Sequence, residues 1–328
     1  MTWTRRSILI GVAAAAAASS LATSAAFAQA DYPTRPVRVV VPYAAGGGTD
    51  FFARLVFAEI GKQLGQQFVI ENKAGAGTNL GAESVARAEP DGYTLLLGDS
   101  ATFATNRTLY RKLNFDPFKD FSPISLSGRF ALVLLVNTDK LKVNSVQELI
   151  EEAKKRPGEI NYGTPGLGSP FHLATELLSQ RAGVKFTHVP YRGAAPAVQD
   201  LVAGNISMMF IDFATARSQL SGPIKAIAVA SPGEFYGLPG VPPVAADHPG
   251  FEAWAWQGIV APEGTPPEII NKLNETYRKV VNQPEIREKL TGAGVDVLHS
   301  SPNQMAAYMQ AEGSKWEQVI KTAGITLE

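Results

Sequence analysis

The chain has 328 residues, with 30 Lys plus Arg, 30 Asp plus Glu and no Cys. The missing cysteine excludes disulfides, thiolate metal sites and a cysteine nucleophile together, and the balanced charge excludes the basic footprint that nucleic acid requires. A chain of this length buries a large core and forms two domains more readily than one.

Arg5 and Arg6 precede an apolar run from Ile8 to Ala18, and Ala26-Phe27-Ala28 has the small-x-small pattern of a signal-peptidase site. Residues 1–28 are therefore the expected leader, with a second possible cut after Ala30. The arginine pair admits twin-arginine export beside the general secretory route. Without cysteine there is no lipid attachment site, so the mature chain is expected free in the periplasm. Removing Arg5 and Arg6 leaves a net charge of about −2. No other stretch approaches the ~18 apolar residues of a membrane span.

The elements then alternate. Val37–Tyr43 reads as a strand and Thr49–Leu64 as an amphipathic helix with Phe52, Leu55, Val56 and Ile60 on one face. Between them lies Ala44-Ala45-Gly46-Gly47-Gly48, and Thr49 or Asp50 can cap the helix. Phe68–Glu71 is a short strand, Leu80–Ala88 a helix, and Thr94–Leu97 a buried strand ending at Gly98-Asp99-Ser100. Three β-α units predict a parallel sheet with loops gathered at the strands' carboxyl ends. Pro123 to Asn137 reads as one long strand crossing between lobes. Ser145–Lys155 is a helix whose Ser145 and Glu148 form a capping-box pattern.

A second series follows: strand Ile160–Tyr162, helix Ser169–Ala182, strand Phe186–Tyr191, helix Ala194–Ala203 and strand Ile206–Ile211. Between its first two elements lies Gly163-Thr164-Pro165-Gly166-Leu167-Gly168-Ser169. Ile224–Ala230 and Phe251–Ala261 are two further strands, and Pro266–Val281, Pro284–Thr291 and Pro302–Thr322 are helices. Two glycine-rich loops thus each follow a strand and open a helix. Helix N-termini offer unpaired N–H groups and the positive end of the dipole, so the pair predicts a small carboxylate held between two lobes.

The enzyme motifs are missing. Gly75-Ala76-Gly77-Thr78-Asn79-Leu80-Gly81 is one residue too long for a dinucleotide fingerprint, and no phosphate-cradling P-loop sequence occurs. Gly98-Asp99-Ser100-Ala101-Thr102 lacks the second glycine of a nucleophile elbow, which leaves a serine hydrolase acting through Ser100 as the alternative from another class. The four histidines have no metal-ligand spacing, so no metal or cofactor is expected. His172 is expected to pack or hydrogen-bond under the second loop, with His188, His248 and His299 at the surface or in loops.

A resemblance then becomes specific. Tyr32-Pro33-Thr34-Arg35-Pro36-Val37-Arg38, followed by Val41-Pro42-Tyr43-Ala44-Ala45-Gly46-Gly47-Gly48-Thr49-Asp50, resembles the opening of the Bug receptors. These are the extracytoplasmic solute-binding proteins of tripartite tricarboxylate transporters, the TctC-like family. The likeness continues at Glu71–Gly77, Glu89–Leu96, Asp116–Ile124, Asn161–Ser169, His188–Gly193, Leu238–Val244, Trp256-Gln257-Gly258 and Ala261–Pro267. It covers essentially the whole mature chain in order.

The resemblance implies an α/β, two-lobed periplasmic binding protein-like (type II) fold with the ligand cleft between lobes. The division is expected at residues 31–128 plus 254–328 for lobe 1 and 129–253 for lobe 2. It implies a receptor with no reaction of its own, acting as a monomer that delivers a small carboxylate to membrane permease subunits. A receptor feeding a sensor system uses the same site. By carry-over Tyr43, Gly46, Gly47, Thr49 and Asp50 form the first wall, and Thr164, Gly168 and Ser169 the opposing one. Asp50 caps the helix, orients a loop or touches the ligand. Asp212 either accepts from a ligand or caps the next helix. Ser100 and Thr102 are candidate donors to the ligand's far end. Phe103, Phe213 and Trp256 either give the pocket an aromatic side or belong to the core, and Arg129 and Arg192 are weighed as carboxylate clamps against structural roles. Gly48 stands where the family varies among small residues and Pro.

Overall fold

A computed structural model describes residues 32–328, so the expected leader lies outside the described residues. Strands β1 (Val37–Val41), β2 (Phe68–Asn72) and β3 (Thr94–Asp99) are parallel, with β1 in the middle, as three successive β-α units require. Helices α1 (Gly48–Leu64) and α2 (Asn79–Ala86) connect them. Past β3 a π-type turn over Ala101–Thr105 runs into the short helix α3 (Asn106–Leu109).

Strand β4 (Phe121–Asn137) is the crossing. Up to Ala131 it pairs antiparallel with β9 (Trp254–Pro262), and from Leu132 onward with β7 (Met208–Asp212) and β8 (Ile224–Val229). Beyond β7 stand β5 (Asn161–Thr164) and β6 (Thr187–Pro190), parallel to one another. The strand order is β2-β1-β3-β9-β4-β7-β5-β6, with β8 paired to β4 off this path. One curled sheet therefore serves two lobes.

Around it lie α4 (Val146–Lys155), α5 (Pro170–Ala182), α6 (Ala194–Ala203), the short α7 (Phe213–Arg217), α8 (Pro267–Val281), α9 (Pro284–Gly292) and α10 (Pro302–Ala323). Ser145 caps α4 by accepting from Glu148 N–H, but the Glu148 carboxylate accepts from Asn144 N–H, so the expected capping box is open on one side. A closed one starts α10, where Ser301 and Gln304 satisfy each other. The sequence reading missed β10 (Val295–Val297), a three-residue strand that exists only through its pairing with Gly128–Phe130 of β4.

The core has two parts. Val39, Val41, Phe52, Val56, Ile60, Leu97, Ile259 and Tyr277 fill the side of the sheet under α1 and α8. On the other side, Phe103, Trp256, Met305, Trp316 and Ile320 run continuously into the β4, β7 and β8 interior through Leu132, Leu134, Met208 and Phe210. Helix α10 joins the two lobes from behind: its Met305 lies under Gly258, while its Val319 carbonyl accepts from Gln180 on α5. Strands β3 and β7 run in opposite directions and their carboxyl ends approach each other near the middle of β4: Asp99 pairs with Gln257, which pairs with Gly128, and Asp212 pairs with Leu132.

Candidate ligand-binding site

Helix α1 begins without a side-chain cap. Gly47 is the extended N-cap residue, and the first helical bond runs from Phe51 N–H to the Gly47 carbonyl. The N–H groups of Gly48, Thr49 and Asp50 therefore point out of the helix end. A Cβ on Gly46 or Gly47 would meet nothing within 4 Å, so the backbone there stands open.

Asp50 orients the loop and does not cap the helix. Its buried carboxylate accepts from Gly46 N–H at 2.9 Å, Arg54 Nε at 3.0 Å and Asn72 Nδ2 at 2.9 Å. Arg54 foremost, then Gly46 and Asn72, outweighs burial and holds the carboxyl at about 2. Asn72 also donates to the Tyr43 carbonyl, so β2 ties down both ends of the loop.

Sequence reasoning missed the carboxylate below that loop. Asp99 ends β3 and accepts from the Tyr43 hydroxyl, from Thr102 N–H at 3.0 Å and from the Thr102 hydroxyl at 2.9 Å. Burial raises Asp99, and burial next to Asp99 raises the Tyr43 phenol well above its usual range. Thr102 is fully buried and also touches the Thr78 hydroxyl at 2.8 Å, so its hydroxyl is committed within the lobe and not offered to the far end of a ligand. Ser100 is buried too, and its hydroxyl has no hydrogen-bond partner. A serine nucleophile needs a base within hydrogen-bond reach, and Ser100 has none.

The second loop is largely satisfied by its own residues. Ser169 caps α5 by accepting from His172 N–H at 3.3 Å, and Pro170 has no N–H to offer. Gly168 donates its N–H to His172 Nδ1 at 3.0 Å, and the Thr164 hydroxyl lies 2.6 Å from His188 Nε2. That leaves Phe171 N–H as the open donor of the first helical turn. The two loops are thus unequal: the first presents a row of free donors and the second very few. Gly168 has φ +74°, and a Cβ there would come within 2.7 Å of Leu109, which fixes it as a contact between the loop and α3.

His172 lies under the loop as expected. His188 departs from its expected surface place: it pairs with Tyr162 across β5–β6, and its ring stacks on His172 with centroids 3.9 Å apart. Burial lowers both imidazoles, His172 to about 3 and His188 to about 4, so both are neutral at physiological pH.

Between the loops lies a cavity of about 350 Å³. Gly48 and Thr49 line it from the α1 start, Phe130 and Ala255 from the sheet, and Phe171, Asp212 and Thr215 from the other lobe. Asp212 caps α7, accepting from Thr215 N–H and from the Thr215 hydroxyl, both at 2.9 Å, while its carboxylate borders the cavity. Larger depressions, one of about 680 Å³ beside α6, share no residue with either glycine loop.

Of the two places weighed for Phe103, Phe213 and Trp256, the structure has all three in the core. Trp256 is 1 % exposed, stacks on Phe103 at 6.0 Å and donates its indole N–H to Glu312 at 3.1 Å. Phe213 packs against Phe235 at 5.0 Å. The aromatic surface of the cavity comes instead from Phe130 and Phe171. Arg129 is occupied by Asp296 at 2.7 Å and by the Trp254 ring at 3.8 Å, while Arg192 is exposed. The structure therefore brings Thr49 and Asp212 to one cavity, leaves Gly46 and Gly47 in the loop and Asp50 in the first turn of α1 beside it, and buries Thr102 and Trp256.

Comparison with known proteins settles the family. The model of the tripartite tricarboxylate transporter family receptor, TctC, matches residues 52–325. The chain belongs to the TctC family. Protein BugT of Bordetella pertussis is 34% identical over 331 residues and matches 100% of each chain. A Rhodopseudomonas palustris protein solved with adipate is 39% identical, with a TM-score of 0.79 over 90% of this chain and 99% of its own. MatC of the same organism, solved with bound malate, is 36% identical with a TM-score of 0.74 over 88% of this chain and 100% of its own. This TctC receptor accordingly has the two-lobed fold of periplasmic binding proteins and is a solute-binding receptor by family. No helix among the described residues is long and apolar enough to cross a membrane.

Proposed function

We propose that this receptor captures a small carboxylate in the periplasm, after export of the chain by the general secretory or twin-arginine route. It works as a monomer and delivers the ligand to the membrane subunits of a tripartite tricarboxylate-type transporter. The single observation that carries the carboxylate is the uncapped start of α1. Of the three outward N–H groups at the positive end of this helix, those of Gly48 and Thr49 belong to residues lining a cavity that Phe171, Asp212 and Thr215 line from the other side. The lobes comprise residues 31–128 plus 254–328 and residues 129–253. They close about β4, and Phe171 N–H and the α7 residues Asp212 and Thr215 meet the ligand from the second lobe.

The relatives solved with adipate and malate support this reading, because both ligands are small carboxylates. Closure follows from differential binding: a ligand that touches both lobes stabilises the closed arrangement over the open one. The hydrolase alternative loses its support with the unpartnered Ser100 hydroxyl. The test is partial denaturation of the purified mature protein and mass spectrometry of what it releases. A stoichiometric carboxylate is the expected result, and a stoichiometric uncharged or cationic compound overturns the reading.

A further inference from the structure

Asp99 on β3 pairs with Gln257 on β9, and Gln257 pairs in turn with Gly128 on β4. Directly paired residues project to the same side of a sheet, so these three share one face. Two residues along the strands, Ala255 and Phe130 pair on that same face and line the cavity beside Gly48. Gln257 thus stands in the row of Asp99, next along the sheet from the row that lines the cavity.

Its chemistry is unfinished. Gln257 is 1 % exposed, and neither its Nε2 nor its Oε1 has a hydrogen-bond partner. The amide lies over Gly128, where a Cβ would stand 3.7 Å from Nε2 and 2.9 Å from Val295 Cγ1. Asp99 does not complete it, because Tyr43 and Thr102 occupy that carboxylate. Ser100, the residue after Asp99, also has an unpartnered buried hydroxyl. Buried amides are costly to leave unpaired, so one retained at a ligand cavity points to a partner from outside the chain.

The two ends of the amide specify that partner. A carboxylate only accepts hydrogen bonds, so by itself it satisfies Nε2 and leaves Oε1 orphaned. A hydroxyl next to the carboxylate supplies the missing donor. An ammonium group also donates, but the positive end of α1 opposes a cation there. We propose that Gln257 is the specificity-determining residue of the cleft and selects 2-hydroxycarboxylates. Its Nε2 donates to the carboxylate held at the α1 start, and its Oε1 accepts from the ligand's 2-hydroxyl.

This inference rests on the carboxylate reading above, and its test separates the two. Titration calorimetry compares three pairs of acids that differ by the 2-hydroxyl: malate and succinate, lactate and propionate, mandelate and phenylacetate. The receptor is expected to prefer the hydroxylated member of the pair it binds by about tenfold or more, the discrimination a site hydrogen-bonding a substrate hydroxyl achieves. Gln257→Leu, or Gln257→Met as a second variant of similar length, is expected to abolish that preference. Neither change is expected to lower the melting temperature of the unliganded protein, since the amide bonds nothing within the chain. Equal affinity for both members, or a preference that survives in the variants, overturns the inference while the carboxylate reading stands. Failure to bind any of the six acids also overturns the inference, and the carboxylate reading is then decided by the compound released on denaturation.

Discussion

Replacing Asp50 with Asn removes one charge and no atom of bulk, which isolates what the carboxylate does. Its Oδ2 accepts from both Gly46 N–H and Arg54 Nε, and its Oδ1 accepts from Asn72 Nδ2. An amide has one acceptor oxygen and one donor group. Turned one way, its NH₂ faces the Asn72 amide nitrogen; turned the other, it faces Gly46 and Arg54. In either orientation at least one donor is left against another donor in a site that is 4 % exposed. Hydrogen bonds to a charged group contribute about 1.5–3 kcal/mol each. The ion pair itself is discounted, because the Arg54 side chain is 54 % exposed. The expected loss is about 2–4 kcal/mol in urea unfolding of the unliganded protein. Carboxylate affinity is expected to fall about tenfold as well, since Gly46 loses the bond that fixes its loop. A loss below about 0.5 kcal/mol, within the range of ordinary surface substitutions, refutes the role assigned to this carboxylate.

Other substitutions test the remaining parts. Gly48→Pro deletes one outward N–H at a position where helices accept proline, and the extended Gly47 before it is compatible with that change. Carboxylate affinity should fall about tenfold or more by calorimetry, the cost of one charge-assisted hydrogen bond, with the melting temperature nearly unchanged. Trp256→Phe removes the indole that bonds Glu312, so chemical unfolding should show a loss of about 1–3 kcal/mol, with ligand affinity within about threefold. The His172–His188 stack makes stability depend on pH. Both imidazoles titrate below 6.5 when folded, at about 3 and about 4, so the unfolded chain binds protons first. Their contribution is complete above pH 6.5 and is lost as the pH falls from there towards about 4, at about 1–2 kcal/mol per histidine by pH 5. Unfolding of His172→Gln at pH 7 and pH 5 should show a shallower dependence than the unsubstituted protein.

Much of the architecture was legible because strand and helix periods alternate cleanly. The seventeen-residue crossing strand β4 announces itself by its apolar second half, Phe130–Val136, while Ser122, Ser125, Ser127 and Arg129 interrupt the first half. β10 did not, since Val295-Asp296-Val297 is strand only by virtue of its β4 partner. The glycines of the first loop lead into an uncapped helix start, as their position after β1 suggests. The second read as more open than it is, although Ser169 before Pro170 and His172 already held the signal: a capping serine, a residue without N–H, and an imidazole one helical turn from Gly168. The inward place of Trp256 and the opposite face of Gln257 were not legible for a different reason. They are neighbours on β9 and face opposite sides, and a strand buried on both faces has no polarity pattern to say which side is the cleft. Asp99 was hidden because its partner Tyr43 arrives from another strand's loop, a contact no local pattern encodes.

The central claim is that the receptor recognises charge on a carboxylate with backbone donors at the start of α1. The most direct measurement is a calorimetric titration of the mature protein with the carboxylate it binds and with the matching primary amide. The amide keeps the shape and an acceptor oxygen but carries no charge. The account predicts one site per chain for the acid and at least tenfold weaker binding of the amide, as loss of a charge-assisted bond implies. Equal affinity for acid and amide, or binding of the acid undiminished in Gly48→Pro, would contradict it.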